Sequence, residues 1–262
     1  MPVLLIPASK SDLEVMKKAA LVLAENKVEF DVRVCSAHRT PAMLDEIMAS
    51  KDYEAVIAGA GLAAALPGVI AAKTTSPVIG VPLGGALEGL DALLSVIQMP
   101  PGIPVITTGV NNAEEGARTA VKILKNKASR VNLVGAGEKN AKAVEKASKA
   151  LQEFGVPFKN SNKPEKDAVN ICFVDVSSND YAQEETGHLV VCCPTAEKET
   201  ASDSIKLLQL TKKGVWVGLN RGENAALAAI EVLGFREKMT EYRAEMAKKV
   251  IEADEEAGRE FN

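Results

Sequence analysis

Aromatic side chains are scarce in this sequence, at 4% of 262 residues, and histidine occurs only twice. So few aromatics argue against the stacking platforms with which proteins bind single-stranded nucleic acid. The formal net charge is −4, and no basic tract favours a nucleic-acid or membrane-surface partner. No apolar run reaches the roughly 18 residues of a transmembrane helix, and no charged segment precedes a long apolar one as in a signal peptide. We therefore expect a cytoplasmic protein with no nucleic acid and no membrane among its partners.

Cysteine is also sparse, and its pattern argues against the common metal sites. Cys35, Cys172, Cys192 and Cys193 form no C-x-x-C pair, and no histidine lies at zinc-ligand spacing. Cys192 and Cys193 are embedded in the apolar run LVVCCP, which favours buried thiols over disulfides. The sequence predicts no metal site.

Short runs rich in Val and Ile alternate with longer runs of helical periodicity. Strands are predicted at residues 3–7, 30–35, 55–58, 77–82 and 103–108. Helices are predicted at residues 12–25, 41–49, 63–73, 87–97 and 114–125. Such alternation is typical of right-handed βαβ units, in which helices cover both faces of a parallel sheet. With 47% apolar and 25% charged residues, the chain has the composition of an ordinary globular α/β protein.

The strand–helix pattern restarts after the polar segment NKASR at residues 126–130. Residues 130–158 follow the pattern of residues 2–30, and residues 214–233 follow that of residues 102–124. A single repeat of domain length indicates an internal duplication, not a solenoid.

This duplication predicts two tandem three-layer αβα domains with parallel sheets, flavodoxin- or Rossmann-like, at residues 1–126 and 127–235. A charged amphipathic helix in residues 236–262 would then pack on a neighbouring domain or subunit. The second copy is eroded, because only the polar stretch NSNKPEKDAV separates its second and third strands, which is too short for a helix with its loops. Residues 177–188 (SSNDYAQEETGH) also stand where the first copy has a helix of small residues.

Four loops of the first copy follow strands and consist of small or polar residues. Ligands bind at the carboxyl ends of parallel strands, so the loops PASKSD, CSAHRTP, GAGLAA and GVPLGGAL are expected to line one cleft. Small residues before a helix let backbone N–H groups approach an anion, which favours a phosphate site. Two loops have alternative interpretations. Ser11-x-x-Glu14 has the pattern of a helix capping box. GAGLAA, residues 59–64, fits a loose dinucleotide fingerprint, but no acidic residue closes the following strand.

The stretch CSAHRTP, residues 35–41, contains the most unusual residues of the four loops. Thr40 and Pro41 are explained as a helix N-cap and a first helical residue. His38 and Arg39 are not needed for that purpose. The planar fork of Arg39 suits a phosphate group, and the imidazole of His38 can give and take a proton near neutral pH. We interpret His188, the other histidine, as structural.

These loops, in this order, resemble the PurE family of de novo purine biosynthesis. The family pattern G-S-x-S-D corresponds to ASKSD at residues 8–12, and S-A-H-R-T-P is intact at residues 36–41. The pattern A-G-A-G-G-A-A-H-L-P-G corresponds to AGAGLAAALPG at residues 58–68. The resemblance covers residues 1–125. It implies an N5-carboxyaminoimidazole ribonucleotide mutase, which moves a carboxylate from N5 to C4. The alternatives are an aminoimidazole ribonucleotide carboxylase that uses CO2 directly, or a non-catalytic nucleotide-binding homologue.

The resemblance also implies roles for individual residues. His38 would be catalytic and carry the proton at C4, and Ser9, Asp12, Ser36 and Arg39 would hold the ribose phosphate. The remaining substrate-binding residues would be Ser11, Gly59, Ala60, Gly61, Ala65 and Leu66. Small apolar walls at residues 59–65, 83–86 and 99–104 would trap CO2 away from water. Neither a cofactor nor a metal is implied.

Ala8 and Ala65 are the departures from the family pattern that bear on the chemistry, and the second copy departs throughout. Ala8 replaces a loop glycine, which disfavours a positive φ, and Ala65 replaces a histidine. The second copy lacks the histidine–arginine pair and is expected to be non-catalytic. The family resemblance implies a homo-oligomer, in which four two-domain chains would rebuild an eight-domain assembly. The small-molecule partners would be the aminoimidazole ribonucleotide and CO2.

Overall fold

Ten β-strands and nine α-helices make up the part of the chain that the computed structural model describes, residues 2–178 and 187–260. The strands are β1 (Val3–Pro7), β2 (Phe30–Val32), β3 (Ala55–Ala60), β4 (Val78–Pro82), β5 (Ile106–Thr108), β6 (Val131–Val134), β7 (Phe158–Ser161), β8 (Val169–Asp175), β9 (Val190–Thr195) and β10 (Val215–Trp216). The helices are α1 (Leu13–Glu25), α2 (Pro41–Ser50), α3 (Leu66–Ala71), α4 (Leu90–Ile97), α5 (Ala113–Leu124), α6 (Ala141–Glu153), α7 (Asp203–Leu210), α8 (Gly222–Val232) and α9 (Arg236–Glu260).

All ten strands belong to one sheet, in the order β2-β1-β3-β4-β5-β10-β9-β8-β6-β7. Neighbouring strands are parallel except β5 and β10, where Val215 pairs with Thr108 and Trp216 with Thr107. The predicted α/β class with a mostly parallel sheet is confirmed. The two halves share a single sheet and do not form two separate ones, because the β5–β10 pair satisfies backbone groups that would otherwise lie on two open edges.

The two halves of the sheet have the same strand order, since β7-β6-β8-β9-β10 repeats β2-β1-β3-β4-β5. Val3 pairs with Phe30, and Val131 pairs with Phe158, each of them 128 residues further along the chain. A helix, α2, connects β2 to β3, whereas β7 reaches β8 through residues 162–168 without one. Residues 179–186, within the segment 177–188 noted above, lie outside the described residues. The domain boundaries at residues 126 and 235 remain predictions.

Helices cover both faces of this sheet, which gives three layers. Helices α1, α5, α6 and α8 pack on one face, and α2, α3, α4 and α7 on the other. Helix α1 illustrates why these residues form a helix: Met16, Ala19 and Leu23 recur at the helical period, and all three are buried. The core is therefore continuous across both halves on the first of these faces, whereas on the other it is divided into separate clusters.

Helices α3 and α4 each begin three residues later than the sequence predicts. Ala63 has a φ of 48°, and Leu87 and Glu88 have φ values of 49° and 56°. An α-helix cannot contain residues in the left-handed region, so these positions belong to the preceding loops. The two loops that follow β3 and β4 are accordingly longer than expected.

The first half of α9, the charged helix predicted at the end of the sequence, packs against both halves of the same chain. Arg236 forms an ion pair with Glu54 of the first half, at an Nη2–Oε2 distance of 3.2 Å. The hydroxyl of Tyr242 donates to Glu223 of α8 at 2.8 Å. In the second half of the helix, residues 247–259 are exposed.

Cys192 and Cys193 are buried, as predicted, and Cys35 and Cys172 are buried as well. Burial raises the pKa of the Cys193 thiol to about 12, so this thiol is a poor nucleophile at neutral pH. No helix within the described ranges is long and apolar enough to cross a membrane.

Asp203, at the first position of α7, gives the fold a pH-dependent contribution. Its carboxylate accepts hydrogen bonds from Lys206 and from both the hydroxyl and the backbone N–H of Thr200, at 2.8 to 2.9 Å. These contacts, Lys206 foremost, lower the pKa of Asp203 from 3.8 to about 2. A carboxylate with a lowered pKa stabilises the folded state above about pH 4, and the stabilisation is lost as the pH falls towards 2.

We expect Asp203→Asn to lower the free energy of unfolding by about 1–2 kcal/mol at pH 7. When urea unfolding is repeated, the difference from wild type should be nearly unchanged at pH 5 and should shrink at pH 4 and pH 3. The exposed Asp167→Asn is the matched control and should change stability little at any pH. A difference between wild type and Asp203→Asn that does not vary with pH would contradict this assignment.

Candidate active site

The four loops identified in the sequence line one cleft of about 470 Å³ at the carboxyl ends of the first-half strands. The loop after β1 contributes Ala8, Ser9, Ser11 and Asp12, and the loop after β2 contributes residues 36–39. The segment after β3 contributes residues 60–66, and the segment after β4 contributes residues 83–85. Parallel strands place these loops side by side, which is why residues distant in sequence meet here.

The first loop presents a cluster of hydroxyl and carboxylate oxygens. The Ser9 hydroxyl donates to Asp12 Oδ2 at 2.8 Å and lies 2.7 Å from the Ser11 hydroxyl. Neither Ser11 nor Asp12 caps α1 with its side chain, so the capping-box interpretation of Ser11-x-x-Glu14 is wrong. Because these side chains contact one another and not the helix end, they are available to a ligand in the cleft.

Ala8 fits this loop without backbone strain. The sequence pattern raised the concern that a glycine with positive φ is needed here, but Ala8 is not among the residues with positive φ. Its N–H donates to the carbonyl of Gly59 at 2.8 Å, which joins the first loop to the end of β3. Alanine is therefore compatible with the backbone conformation of this loop.

The second loop is a tight turn closed by Thr40. The Thr40 hydroxyl donates to the Ser36 carbonyl at 3.1 Å and accepts from the Ser36 N–H at 3.0 Å. Thr40 occupies the N-cap position of α2 as predicted, but its side chain bonds back to the turn and not to the helix. Pro41 is the first residue of α2, also as predicted. This turn presents the side chains of His38 and Arg39.

His38 and Arg39 are exposed, and both line the cleft. The Arg39 backbone N–H and its Nε both donate to the Ser36 hydroxyl, at 3.2 and 3.4 Å. Nη1 and Nη2 of Arg39 make no other side-chain bond among the described residues, so the fork can bind an anion. The turn thus places an imidazole beside a guanidinium at the edge of the cleft.

The third and fourth loops form the apolar wall of the cleft. Leu83 N–H donates to the Ala60 carbonyl at 2.8 Å, which fixes the two loops to each other. Ala65 lies at the N-cap of α3 and lines the cleft, together with Ala60, Gly61 and Leu66. A side chain here would be close to any ligand, and alanine leaves the space open.

Gly59 and residues 99–104 were expected in the wall of the cleft, but the structure places them elsewhere. Gly59 is buried and does not line the cleft, since its α-carbon faces Met16, whose Sδ would lie 2.6 Å from an added Cβ. Residues 99–104 do not line it either; Met99 packs near Gly68 of α3. Gly59 was expected to bind substrate from the family resemblance. It lies on β3, and its close packing against Met16 explains why the residue is a glycine.

Asn111 supports the fourth loop, a role that was not predicted from the sequence. Its side-chain Oδ1 accepts from the Gly84 N–H at 2.8 Å, and its own φ is 59°. Asn220, in the second half, has a φ of 56° and accepts from the Ala196 N–H at 3.0 Å. The sequence did contain a signal for this role, because an asparagine occurs at the same position of both copies and asparagine tolerates the left-handed region.

Residues 2–133 match the AIR carboxylase family. This range contains every loop that lines the cleft. The chain belongs to the AIR carboxylase family. The resemblance to PurE proteins is thereby confirmed, and the family's match ends near the start of the second half.

Relatives in this family carry two names. An N5-carboxyaminoimidazole ribonucleotide mutase of Methanocaldococcus jannaschii is 47% identical over 152 residues, which are 57% of this chain and 97% of that protein. The mutase of Pyrococcus abyssi is 53% identical over 124 residues, 46% of this chain and 71% of that protein. A phosphoribosylaminoimidazole carboxylase of Saccharomyces cerevisiae is 49% identical over 124 residues, but these are only 22% of that protein.

The AIR carboxylase half holds His38, whereas His188 precedes β9 and does not line the cleft. Within the described part of the chain, no three His, Cys, Asp or Glu side chains gather as metal ligands would. The chemistry available to this cleft is therefore that of an imidazole, a guanidinium, hydroxyls and one carboxylate.

Proposed function

We propose that this protein is an N5-carboxyaminoimidazole ribonucleotide mutase of purine biosynthesis. The observation that carries the proposal is the position of His38 and Arg39 in one cleft with Ser9 and Asp12. The names of the relatives from Methanocaldococcus and Pyrococcus support the same reaction. Both are matched over most of their length.

Arg39 and the serines would bind the ribose phosphate of the nucleotide. The guanidinium fork can donate two parallel hydrogen bonds to phosphate oxygens. Ser9, Ser11 and Ser36 add hydroxyl donors on the neighbouring loop ends. Asp12 accepts from Ser9, which orients the Ser9 hydroxyl in the loop.

His38 would carry the proton that the rearrangement displaces. When the N5–carbon bond breaks, CO2 leaves and N5 gains a proton. When C4 attacks CO2, a carbon–carbon bond forms and C4 loses its proton. One proton is taken up and one is released, so a single imidazole can return to its starting state in each cycle.

The apolar wall would keep CO2 near its acceptor carbon. Ala60, Ala65, Leu66 and Leu83 offer no charged or strongly polar group to a small neutral molecule. Exclusion of water also prevents hydration of CO2 before C4 attacks. The wall would therefore favour capture of CO2 by C4 over its escape from the cleft.

Direct carboxylation is the second candidate, and Ala65 is the observation in its favour. The family pattern has a histidine at this position, and alanine leaves the cleft open at that point. The intact arginine of the S-A-H-R-T-P loop favours the mutase.

Incubation of the purified protein with each nucleotide distinguishes these activities. A mutase converts N5-carboxyaminoimidazole ribonucleotide to the C4-carboxylated product without added bicarbonate. A carboxylase forms that product from aminoimidazole ribonucleotide at a rate that follows bicarbonate concentration. Formation of neither product, with the nucleotide still bound, would overturn the enzymatic proposal.

We expect Arg39→Met to weaken nucleotide binding by about 10–100-fold, because a charged hydrogen-bonding group is lost. Isothermal titration with aminoimidazole ribonucleotide measures the effect. Arg33→Met is the matched control, since Arg33 is an exposed arginine near β2 that does not line the cleft. Equal affinities of the two variants would contradict a phosphate role for Arg39.

The second half is proposed to be non-catalytic. Where the first half has the Ser9–Asp12 loop, the second has Asn140, whose Oδ1 accepts from the Gly137 N–H at 2.9 Å. Its Nδ2 donates to the Gly135 carbonyl at 2.8 Å. The Asn140 side chain thus satisfies one backbone donor and one backbone acceptor of its own loop. Assembly into a tetramer with eight αβα units is proposed on the duplication alone, and the mass in solution tests it.

A further inference from the structure

Helix α3 is short, and its carboxyl end depends on a donor from outside the helix. It has six residues, Leu66–Ala71, which is about 9 Å of helix. The last carbonyls of any helix lack intrahelical partners, and so short a helix gains little stability from its own hydrogen bonds. Its first residue, Leu66, lines the cleft. Whatever holds the far end of α3 therefore also bears on the position of the cleft wall.

Arg243 of α9 supplies that donor. Its Nη1 donates to the Ala71 carbonyl at 2.8 Å and also to the Thr74 carbonyl. A guanidinium at this place both satisfies orphan carbonyls and lies at the negative end of the helix dipole. Arg243 therefore caps α3 from a different part of the chain.

Glu231 of α8, in the second half, holds Arg243 in place. The Arg243 Nη2 lies 2.7 Å from Glu231 Oε1, and the two side chains are only 13% and 2% exposed. Burial alone raises the pKa of Glu231, and the charge of Arg243 opposes that effect. A buried carboxylate at this position needs its cationic partner, so the ion pair fixes the guanidinium tightly.

We propose that Arg243 is a positioning residue for the reaction: anchored by Glu231 of the second half, it clamps α3 and thereby sets the wall at residues 61–66. This inference rests on the proposed function for its catalytic consequence. It gives the second half a physical role in the activity of the first. The arrangement needs no ligand in the second half.

Arg243→Lys tests the contact with α3 without removing the buried positive charge that pairs with Glu231. Lysine keeps a positive charge for Glu231, but one ammonium group cannot reach the carboxylate and both carbonyls as the fork does. Arg236→Lys is the matched control, because Arg236 also joins α9 to the first half, through Glu54, without touching α3. A Glu231→Met/Arg243→Met variant removes both charges together and leaves no unpaired buried ion.

Amide hydrogen exchange and kinetics form the test. In Arg243→Lys and in the double variant, residues 61–74 should exchange about five- to tenfold faster, as expected for the loss of one charged hydrogen bond. Mutase kcat should fall while the Kd for the nucleotide changes less, since the phosphate-binding loops are untouched. Arg236→Lys should match wild type in both measurements.

Two results would overturn the inference: unchanged exchange at residues 61–74, or faster exchange with kcat equal to that of wild type. A wild-type protein without turnover would refute the proposed function only. The exchange measurement would still decide whether Arg243 fixes α3 and the cleft wall, because it does not depend on activity.

Discussion

Replacing His38 with asparagine should lower kcat by a factor of about 10²–10⁴ while the nucleotide still binds. Asparagine retains a polar side chain of similar reach but cannot carry a proton at neutral pH. His38 stands in an exposed turn and is not a packing residue, so the variant should fold normally. Steady-state kinetics with N5-carboxyaminoimidazole ribonucleotide measures the loss, and calorimetric titration measures the retained binding.

His188→Asn is the control for this prediction, since it changes the other histidine outside the cleft. Its kcat should equal that of wild type. If His38→Asn turned over normally, the proton would have to move through another group, and the proposed mechanism would be wrong.

Replacing Trp216 with alanine should lower the free energy of unfolding by about 3–5 kcal/mol. Trp216 is fully buried on β10, and it pairs with Thr107 of β5 on one side and with Cys192 of β9 on the other. Its indole Nε1 donates to the Lys213 carbonyl at 2.7 Å. The cavity would therefore open at the junction of the two halves of the sheet.

Trp216→Phe is the graded control, because it keeps most of the apolar volume and loses the Nε1 hydrogen bond, at a cost of about 1 kcal/mol. Urea unfolding followed by circular dichroism should give one transition for wild type and for the phenylalanine variant. Trp216→Ala with wild-type stability would contradict a shared core at this junction.

The sequence predicts most of the first half because its signals are local. The bounds of β1 match those expected from the run VLLIP, and β4 differs by one residue. Apolar periodicity and small-residue loops suffice for such elements. The loops of the cleft follow, because carboxyl ends of parallel strands meet whatever the details of their turns.

The features that the sequence did not predict depend on contacts between distant residues. The antiparallel junction involves β10, whose two residues, Val215–Trp216, are too short to carry a periodic pattern. The late start of α3 depends on the left-handed backbone of Ala63, which could not be predicted because alanine rarely adopts this conformation. Arg243 is one of many charges on α9, and only the fold brings it to the Ala71 carbonyl.

The central antiparallel pair of strands has a consequence for how this molecule behaves on dilution. In a dimer of separate subunits, such a junction would come apart as concentration falls, by mass action. Here a covalent tether supplies the second partner, so the junction persists in a single molecule at any concentration. Because the two halves are joined covalently, the second half need not be catalytic itself to keep the strands of the first half paired at this junction.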